Sequence, residues 1–349
     1  MTYRDIIDNV PSFPIVRKKG TDFRICLFKV LDFYEKKLNE LDNNIEIKNE
    51  VRKLSAGIKK TINAYYEGNQ CKAYKILSST LNETDLGLNE DAVIPDNSNL
   101  YRIRIKDSNY PVSRDEIFHI PFNLRELVAT QRYSVPGLPS LYIANSIYVA
   151  WEELGRPSGN LIQAARFRNN RDLFLLDLTS DGYYRKRNLI SDGSISEFNM
   201  KIWPLIAACS VKVPNRDVAF KPEYIIPQLL LPWVIKNEFD GIKYSSTHIN
   251  QSKNNHIGKL YNIVLPVRTF KQNYGYCKEL LDIFEVSNVM PMQLNQFSID
   301  NSNEVVGHSE LNEIELIKGK RVRYSETMFG KVENQLKSLP VKKIPAAKN

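Results

Sequence analysis

The sequence predicts an α+β fold in its middle, preceded by a small all-α helical bundle. Three observations predict this. Apolar residues recur at helical spacing as far as residue 81, the polar stretch from Asn82 to Asn99 interrupts them, and from Leu100 short strand patterns alternate with helical ones. The expected organisation is a bundle over 1–95, a catalytic domain over 96–270, and an extension with a basic tail over 271–349.

The first helix is predicted where Leu27, Val30, Leu31, Tyr34, Leu38 and Leu41 share one face behind a cap at Thr21 or Asp22. Ile47, Val51, Leu54, Ile58, Ile62 and Tyr65 repeat the spacing. Gly68-Asn69 ends that helix, and a third carries Tyr74, Leu77 and Leu81. Tyr65 and Tyr66 are read as core, since aromatics at helical spacing are usually buried. The first strand alternates Tyr101, Ile103 and Ile105 with Arg102, Arg104 and Lys106, giving one apolar and one cationic face. Further strands are expected at Ser140–Ala144, Leu161–Arg168, Leu173–Leu178, Gly241–Ser245 and Leu260–Arg268. Helices are expected at Ser146–Leu154 and Pro222–Lys236. Beyond Asn273 the pattern supports one strand within Leu311–Tyr324, a capped helix within Ser325–Leu339, and a disordered tail from Pro340.

Composition narrows the function classes. With 48 basic and 40 acidic residues, the net charge of +8 suits an anionic ligand or a nucleic acid equally well. Cys26, Cys71, Cys209 and Cys277 lie far apart, which points to free thiols in a reducing compartment. The apolar run from Ile225 to Ile235 is interrupted by Pro227, Gln228 and Pro232 and is too short to cross a bilayer. The start of the chain lacks a basic-then-apolar signal pattern, so a soluble cytoplasmic protein is expected. There is no phosphate-binding glycine loop, no dinucleotide fingerprint and no nucleophile elbow. His119, His248, His256 and His308 show no metal-ligand pairing, so no metal is expected.

What remains are polar residues on short elements of the middle domain. Arg102 and Arg104 could clamp a pyrophosphate. The loop from Gln131 to Pro139 carries Arg132, Tyr133 and Ser134, is shaped by Pro136, Gly137 and Pro139, and leads into the strand that holds Tyr142. On the following helix, Ile147, Ala150, Trp151 and Leu154 are read as the buried stripe, with Glu153 at its edge and Glu152 toward solvent. Beside two arginines, Glu153 is expected to stay ionised. The segment Asp240–His248 closes on a hydroxyl cluster, Ser245-Ser246-Thr247.

Taken in order, these pieces resemble the RES domain, named for its arginine, glutamate and serine. The resemblance covers about Leu100 to Arg268 and is carried by Leu100-Tyr101-Arg102, Arg132-Tyr133-Ser134, Pro136-Gly137 and Leu141-Tyr142-Ile143-Ala144-Asn145-Ser146, with Ala150 and Glu153 eight and eleven residues beyond Tyr142. Ala165-Arg166-Phe167, the run from Arg171 to Leu178, Glu223–Leu230 and Asp240–Ser246 follow in the same order. The chain departs from the family at Thr130-Gln131, where two glycines are usual, and in the length between Asp177 and Glu223.

The resemblance implies a fold similar to ADP-ribosyltransferases. It also implies cleavage of the nicotinamide–ribose bond of NAD, by hydrolysis or phosphorolysis, as by a bacterial toxin or defence effector. Arg102 and Arg132 match the family arginines, Tyr142 its tyrosine, Glu153 its glutamate, and Ser245 or Ser246 its serine. The implied catalytic residues are Glu153, Arg132 and Tyr142, with Arg102, Arg104, Tyr133, Ser245 and Ser246 binding the substrate. NAD is then a substrate, and no cofactor is implied. The implied partners are an antitoxin or other silencing protein and, as a candidate, a second copy of the chain. No membrane partner is expected. A transferase acting on a macromolecule is the first alternative. RNA cleavage through Arg114 and His119 is the weaker one, because their spacing lies outside any expected helix. His119 is instead expected to support the site loop or a local hydrogen bond.

Overall fold

The computed structural model describes residues 3–41, 44–84, 92–106, 108, 110–180, 183, 196–249, 257–268, 272–297, 311–317 and 319–345. It is an α+β structure. Four helices come first, α1 (Tyr3–Asn9), α2 (Phe23–Asn39), α3 (Ile45–Tyr66) and α4 (Gln70–Asn82). Asp22 caps α2 by accepting from the backbone of Arg24 and Ile25, and Asn69 caps α4. Then follow β1 (Val93–Ile94), β2 (Asn99–Ile105), β3 (Ser140–Ala144), α5 (Ile147–Glu153), β4 (Ile162–Asn169), β5 (Leu173–Leu178), α6 (Glu197–Cys209), α7 (Ile225–Lys236), β6 (Gly241–Tyr244), β7 (Ile257–Gly258) and β8 (Asn262–Pro266). The chain continues through α8 (Lys278–Ile283), β9 (Phe284–Ser287), β10 (Met290–Pro291), β11 (Leu311–Ile317), β12 (Lys320–Arg323), α9 (Met328–Ser338) and β13 (Val341–Lys342).

The main sheet runs β1-β5-β6-β8-β3-β2-β4-β9-β13, with β10 also paired to β4. Only β5 and β6 are parallel among the described pairs. β7, β11 and β12 form a small second sheet. One feature of register matters most for function. β2 pairs with β4 over its full length, Asn99↔Arg168 to Ile105↔Ile162, and β3 pairs with β8 from Ser140↔Pro266 to Ala144↔Asn262. Between β2 and β3 the ladder holds at a single pair, Tyr101↔Ala144. The sheet therefore splays along this seam, and backbone groups there need partners other than each other.

The N-terminal helices do not form a core of their own. Their apolar faces merge with α6, α7 and one face of the sheet (Leu176, Leu178, Ile242, Val264) in one continuous cluster. Tyr34 of α2 stacks on Trp203 of α6 at 4.1 Å, and its hydroxyl donates to the Met200 carbonyl at 2.7 Å. The reason lies in α6, where Met200, Ile202 and the whole run from Trp203 to Cys209 are buried. A helix that is apolar all round must be covered on both sides. The expected boundary near residue 95 is thus a change of layer within a shared core.

The region expected to be an extension is also built in. β9, β10 and β13 extend the main sheet, and α9 packs on α5 through Phe329 against Tyr148 and Trp151. Val341–Lys342 pairs with Val286–Ser287, where the sequence reading expects a disordered tail; residues 346–349 lie outside the described residues. The single strand expected before Tyr324 is a hairpin, β11 and β12, turning at Gly319 with φ of 82°. No disulfide joins the four cysteines; Cys209 and Cys277 are buried, Cys26 is half-buried and Cys71 is exposed. No described helix is long and apolar enough to cross a membrane.

Candidate active site

The splayed seam opens into a cavity of about 330 Å³. Its walls come from β2 (Tyr101, Arg102, Ile103), β3 (Tyr142, Ile143, Ala144), α5 (Ala150, Glu153), the turn at Thr130–Arg132, the ends of β6 and β8 (Tyr244, His248, Asn262) and the segment before α7 (Arg216, Lys221, Tyr224). A pocket of this size, walled by apolar and aromatic side chains with several polar groups among them, suits a small molecule.

Glu153 is the one carboxylate in that lining, facing Arg102, Arg132, Arg216 and Lys221. Its Oε2 accepts from the Ser246 hydroxyl at 2.6 Å and from the Asn262 amide at 3.4 Å. Its Oε1 accepts from no described residue. Burial raises the Glu153 carboxyl above its ordinary range, against the lowering effects of Ser246, Arg132, Arg216 and Asn262. The arginines therefore offset the burial without outweighing it.

Why Glu153 points inward follows from how α5 is seated. Ser146 caps the helix directly after β3, accepting from the Val149 backbone at 3.2 Å. The buried residues are Ile147, Tyr148, Val149 and Glu152, whereas Ala150, Glu153 and Leu154 line the cavity. This corrects the expected faces. Glu152 is the buried one, paired with Arg156 at 2.7 Å, and Leu154 is exposed. The apolar stripe read as core is partly pocket wall, because a pocket also selects small and apolar side chains.

Arg102 reaches across the seam, where its Nη1 donates to the Tyr142 carbonyl at 2.5 Å. It thus replaces a missing ladder bond between β2 and β3. Its Nε is buried without a hydrogen-bond partner among the described residues. Burial and the nearby Arg104 lower the Arg102 guanidinium to about 10, so it remains a cation at neutral pH. Arg104 itself is exposed, bonds the Glu116 carbonyl and is absent from the lining.

Arg132 is buried and engaged by protein. Its Nη1 donates to the carbonyls of Cys209 at 3.0 Å and Val211 at 3.2 Å, its Nη2 to the Thr247 hydroxyl at 3.0 Å, and it lies 5.1 Å over the Tyr224 ring. Its turn is held by Gln228 of α7, whose amide donates to the carbonyls of Gln131 and Ser134. Tyr142 lines the cavity and hydrogen-bonds Ser134 through its hydroxyl at 2.7 Å; burial pushes its phenol far up. Tyr133 is 1% exposed and packs on Tyr244 at 4.7 Å, so it supports the wall without reaching the cavity.

Of the two serines left open by the sequence, Ser246 meets Glu153. Ser245 instead accepts from the Ser180 backbone at 2.9 Å. Among the lining residues that escaped the sequence reading are Arg216, Lys221, Tyr224, His248 and Asn262. Arg216 and Lys221 lie in the long stretch with no strand or helix pattern, and Tyr224 falls at the start of the helix expected at Pro222–Lys236 without being singled out. His248 was visible only as the end of the hydroxyl cluster. Burial and the cations Arg216, Arg132 and Lys212 push His248 down to about 3, so its imidazole is neutral at physiological pH. His119 lies elsewhere: its Nε2 accepts from the Cys277 backbone at 2.9 Å, a local structural bond. Among the described residues no group of His, Cys, Asp and Glu is arranged to hold a metal ion.

A relative at 32% identity over 352 residues spans 94% of this chain and 78% of its own length; it is a Bacillus subtilis (strain 168) protein named "Putative toxin YopC". No family model matches the chain, and no solved structure does.

Proposed function

The chain belongs to the family of the Bacillus subtilis protein named "Putative toxin YopC", and from that premise we propose that it is a toxin that destroys NAD by cleaving its nicotinamide–ribose bond. The observation that carries this reading is Glu153, a lone carboxylate opposite four cations in a pocket at the seam of a split sheet. The RES resemblance implies the same glutamate together with Arg102, Tyr142 and Ser245 or Ser246; Arg102 and Tyr142 line the pocket with Glu153, and Ser246 bonds it.

The chemistry asks for three things. Cationic groups must hold the pyrophosphate, aromatic walls must take the nicotinamide, and a negative group must face the ribose as it gains oxocarbenium character. The cations are in the wall, and Tyr142 and Tyr224 supply aromatic surface. Among the described residues nothing donates to the Glu153 Oε1, while Ser246 and Asn262 fix the other oxygen. A carboxylate raised by burial is under-solvated, so a cation forming beside it is stabilised more than it would be in water. The leaving nicotinamide departs as a neutral ring, and water or phosphate completes the reaction at the ribose carbon.

The test follows nicotinamide release from NAD by the purified chain, with and without phosphate. Wild type is expected to release it, and Glu153→Gln to lose at least ~100-fold in turnover at an unchanged melting temperature. Near-full cleavage by the variant, or no release by folded wild type, overturns the proposal. Label from NAD appearing on protein or nucleic acid would redirect it to transfer.

A further inference from the structure

Of the arginines that the sequence singles out, Arg102 and Arg132 reach the cavity, yet both are engaged by the fold. One bridges the seam through Tyr142, and the other ties Cys209, Val211 and Thr247 together. The remaining cations of the cavity are Arg216 and Lys221. Both sit on the segment between α6 and α7. Among the described residues neither forms an ion pair, and Arg216 is exposed at the mouth. Arg216 bonds the Glu153 carbonyl at 3.4 Å and the neutral His248 ring at 3.0 Å, and Lys221 bonds the Val218 carbonyl at 2.7 Å. None of those partners carries a charge that an anion would have to displace.

The segment is irregular but not loose, because the N-terminal layer holds it at both ends. At its start, the Lys212 backbone donates to the Ile15 carbonyl at 2.9 Å, and the Ile15 backbone donates to the Ser210 carbonyl at 3.0 Å. At its end, Phe220 stacks on Tyr65 and meets the edge of Tyr66 at 5.9 Å. Next to it, Arg17 pairs at 2.9 Å with Glu223, which is 1% exposed. Cations held in place lose less freedom when they bind a ligand.

We propose that Arg216 and Lys221 form the pyrophosphate subsite of the pocket, and that the N-terminal helices set its position through Phe220 and Glu223. This rests on the NAD-cleaving reading and names the residues that grip the substrate's phosphates. It gives the N-terminal helices a part in substrate recognition, beyond their place in the core. The nearest acid on the segment, Asp217, is exposed and pairs with neither cation.

The test compares wild type with Arg216→Gln/Lys221→Gln by calorimetric titration with inorganic pyrophosphate and by steady-state NAD cleavage. Two charge-assisted contacts are expected to be worth about 30- to 100-fold in pyrophosphate affinity, with KM for NAD rising similarly and kcat changing much less. Arg216→Lys should recover part of the loss, and Phe220→Ala should weaken pyrophosphate binding by roughly 3- to 10-fold through lost preorganisation. Equal pyrophosphate affinity and equal KM in the double variant overturn the subsite while leaving NAD cleavage intact. Pyrophosphate binding that the double variant loses, with no NAD cleavage by wild type, keeps the subsite and overturns the cleavage reading. Wild type that binds no pyrophosphate overturns the subsite outright.

Discussion

Glu333 links the last helix to the helix that carries Glu153, and its protonation should be legible in the stability of the whole chain. It is 2% exposed on α9. Its Oε1 accepts from the Ile147 backbone at 2.7 Å, in the first turn of α5, and also from the Tyr324 hydroxyl. Burial pushes its carboxyl from the ordinary 4.5 up to about 7, although Tyr324, Ile147 and Lys337 pull the other way. Below pH 4.5 both folded and unfolded chains hold the proton, so the group is neutral in its effect. Between 4.5 and about 7 the unfolded chain has released the proton while the folded one retains it. Stability therefore falls as pH rises through this window and levels off above it. At 1.36 kcal/mol per pH unit, the gap corresponds to about 3 kcal/mol. Glu333→Gln keeps an acceptor for Ile147 and has no proton to lose. Urea unfolding of both proteins at pH 5, 6, 7 and 8 should show the variant gaining on wild type by about 2.5 kcal/mol across the series. Contributions from the other titrating groups are shared by both proteins and cancel. A difference that stays flat to within about 0.5 kcal/mol would refute the reasoning.

His119 makes the opposite case. Burial pushes it from 6.5 to about 4, so its contribution is present above pH 6.5 and is lost as pH falls toward 4, by about 3 kcal/mol. His119→Gln should flatten that acid-side loss in unfolding curves taken at pH 4.5 and 7.5, and an unchanged slope would count against it. Lys243 and Asp177 pair at 3.0 Å with side chains 5% and 9% exposed, so Lys243→Met strands a buried carboxylate and should cost about 3–5 kcal/mol in urea unfolding. At Gly241 an added Cβ would stand 2.2 Å from the Val264 carbonyl across β6 and β8. Gly241→Ala should therefore force the strands apart, costing on the order of 3 kcal/mol and lowering the melting temperature accordingly.

Some elements could be read from sequence because their pattern is local. β3 and β5 have their expected bounds, Ser140–Ala144 and Leu173–Leu178, since alternating or continuous apolar runs between turn residues specify a strand. The Asp22 cap was equally readable. α6 was not, because Ile202 to Cys209 is an unbroken apolar run with no helical period to detect. β9 and β13 escaped for a different reason: they are short, and their pairing partners lie far away in sequence. The same limit governs the site. Glu153, Arg102 and Tyr142 sit on regular elements and were named, whereas Arg216, Lys221 and Tyr224 gain meaning only from what folds against them.

The seam between β2 and β3 explains why these scattered residues converge. A continuous ladder would have consumed the backbone groups of both strands and closed the sheet over the cavity floor. With pairing held to Tyr101↔Ala144, the two halves of the sheet part, and Arg102 takes one of the orphaned carbonyls. That placement puts a guanidinium in the cavity wall, its buried Nε without a hydrogen-bond partner among the described residues. α5 begins directly after β3, so the direction of the splay also sets the direction of Glu153. Arg102→Met keeps much of the side chain's length but removes the bridging donor. It should therefore weaken folding as well as ligand binding, unlike Arg216→Gln, which removes an exposed cation and should affect binding alone. Measuring both quantities on both variants separates a cation that holds the seam from a cation that holds a ligand.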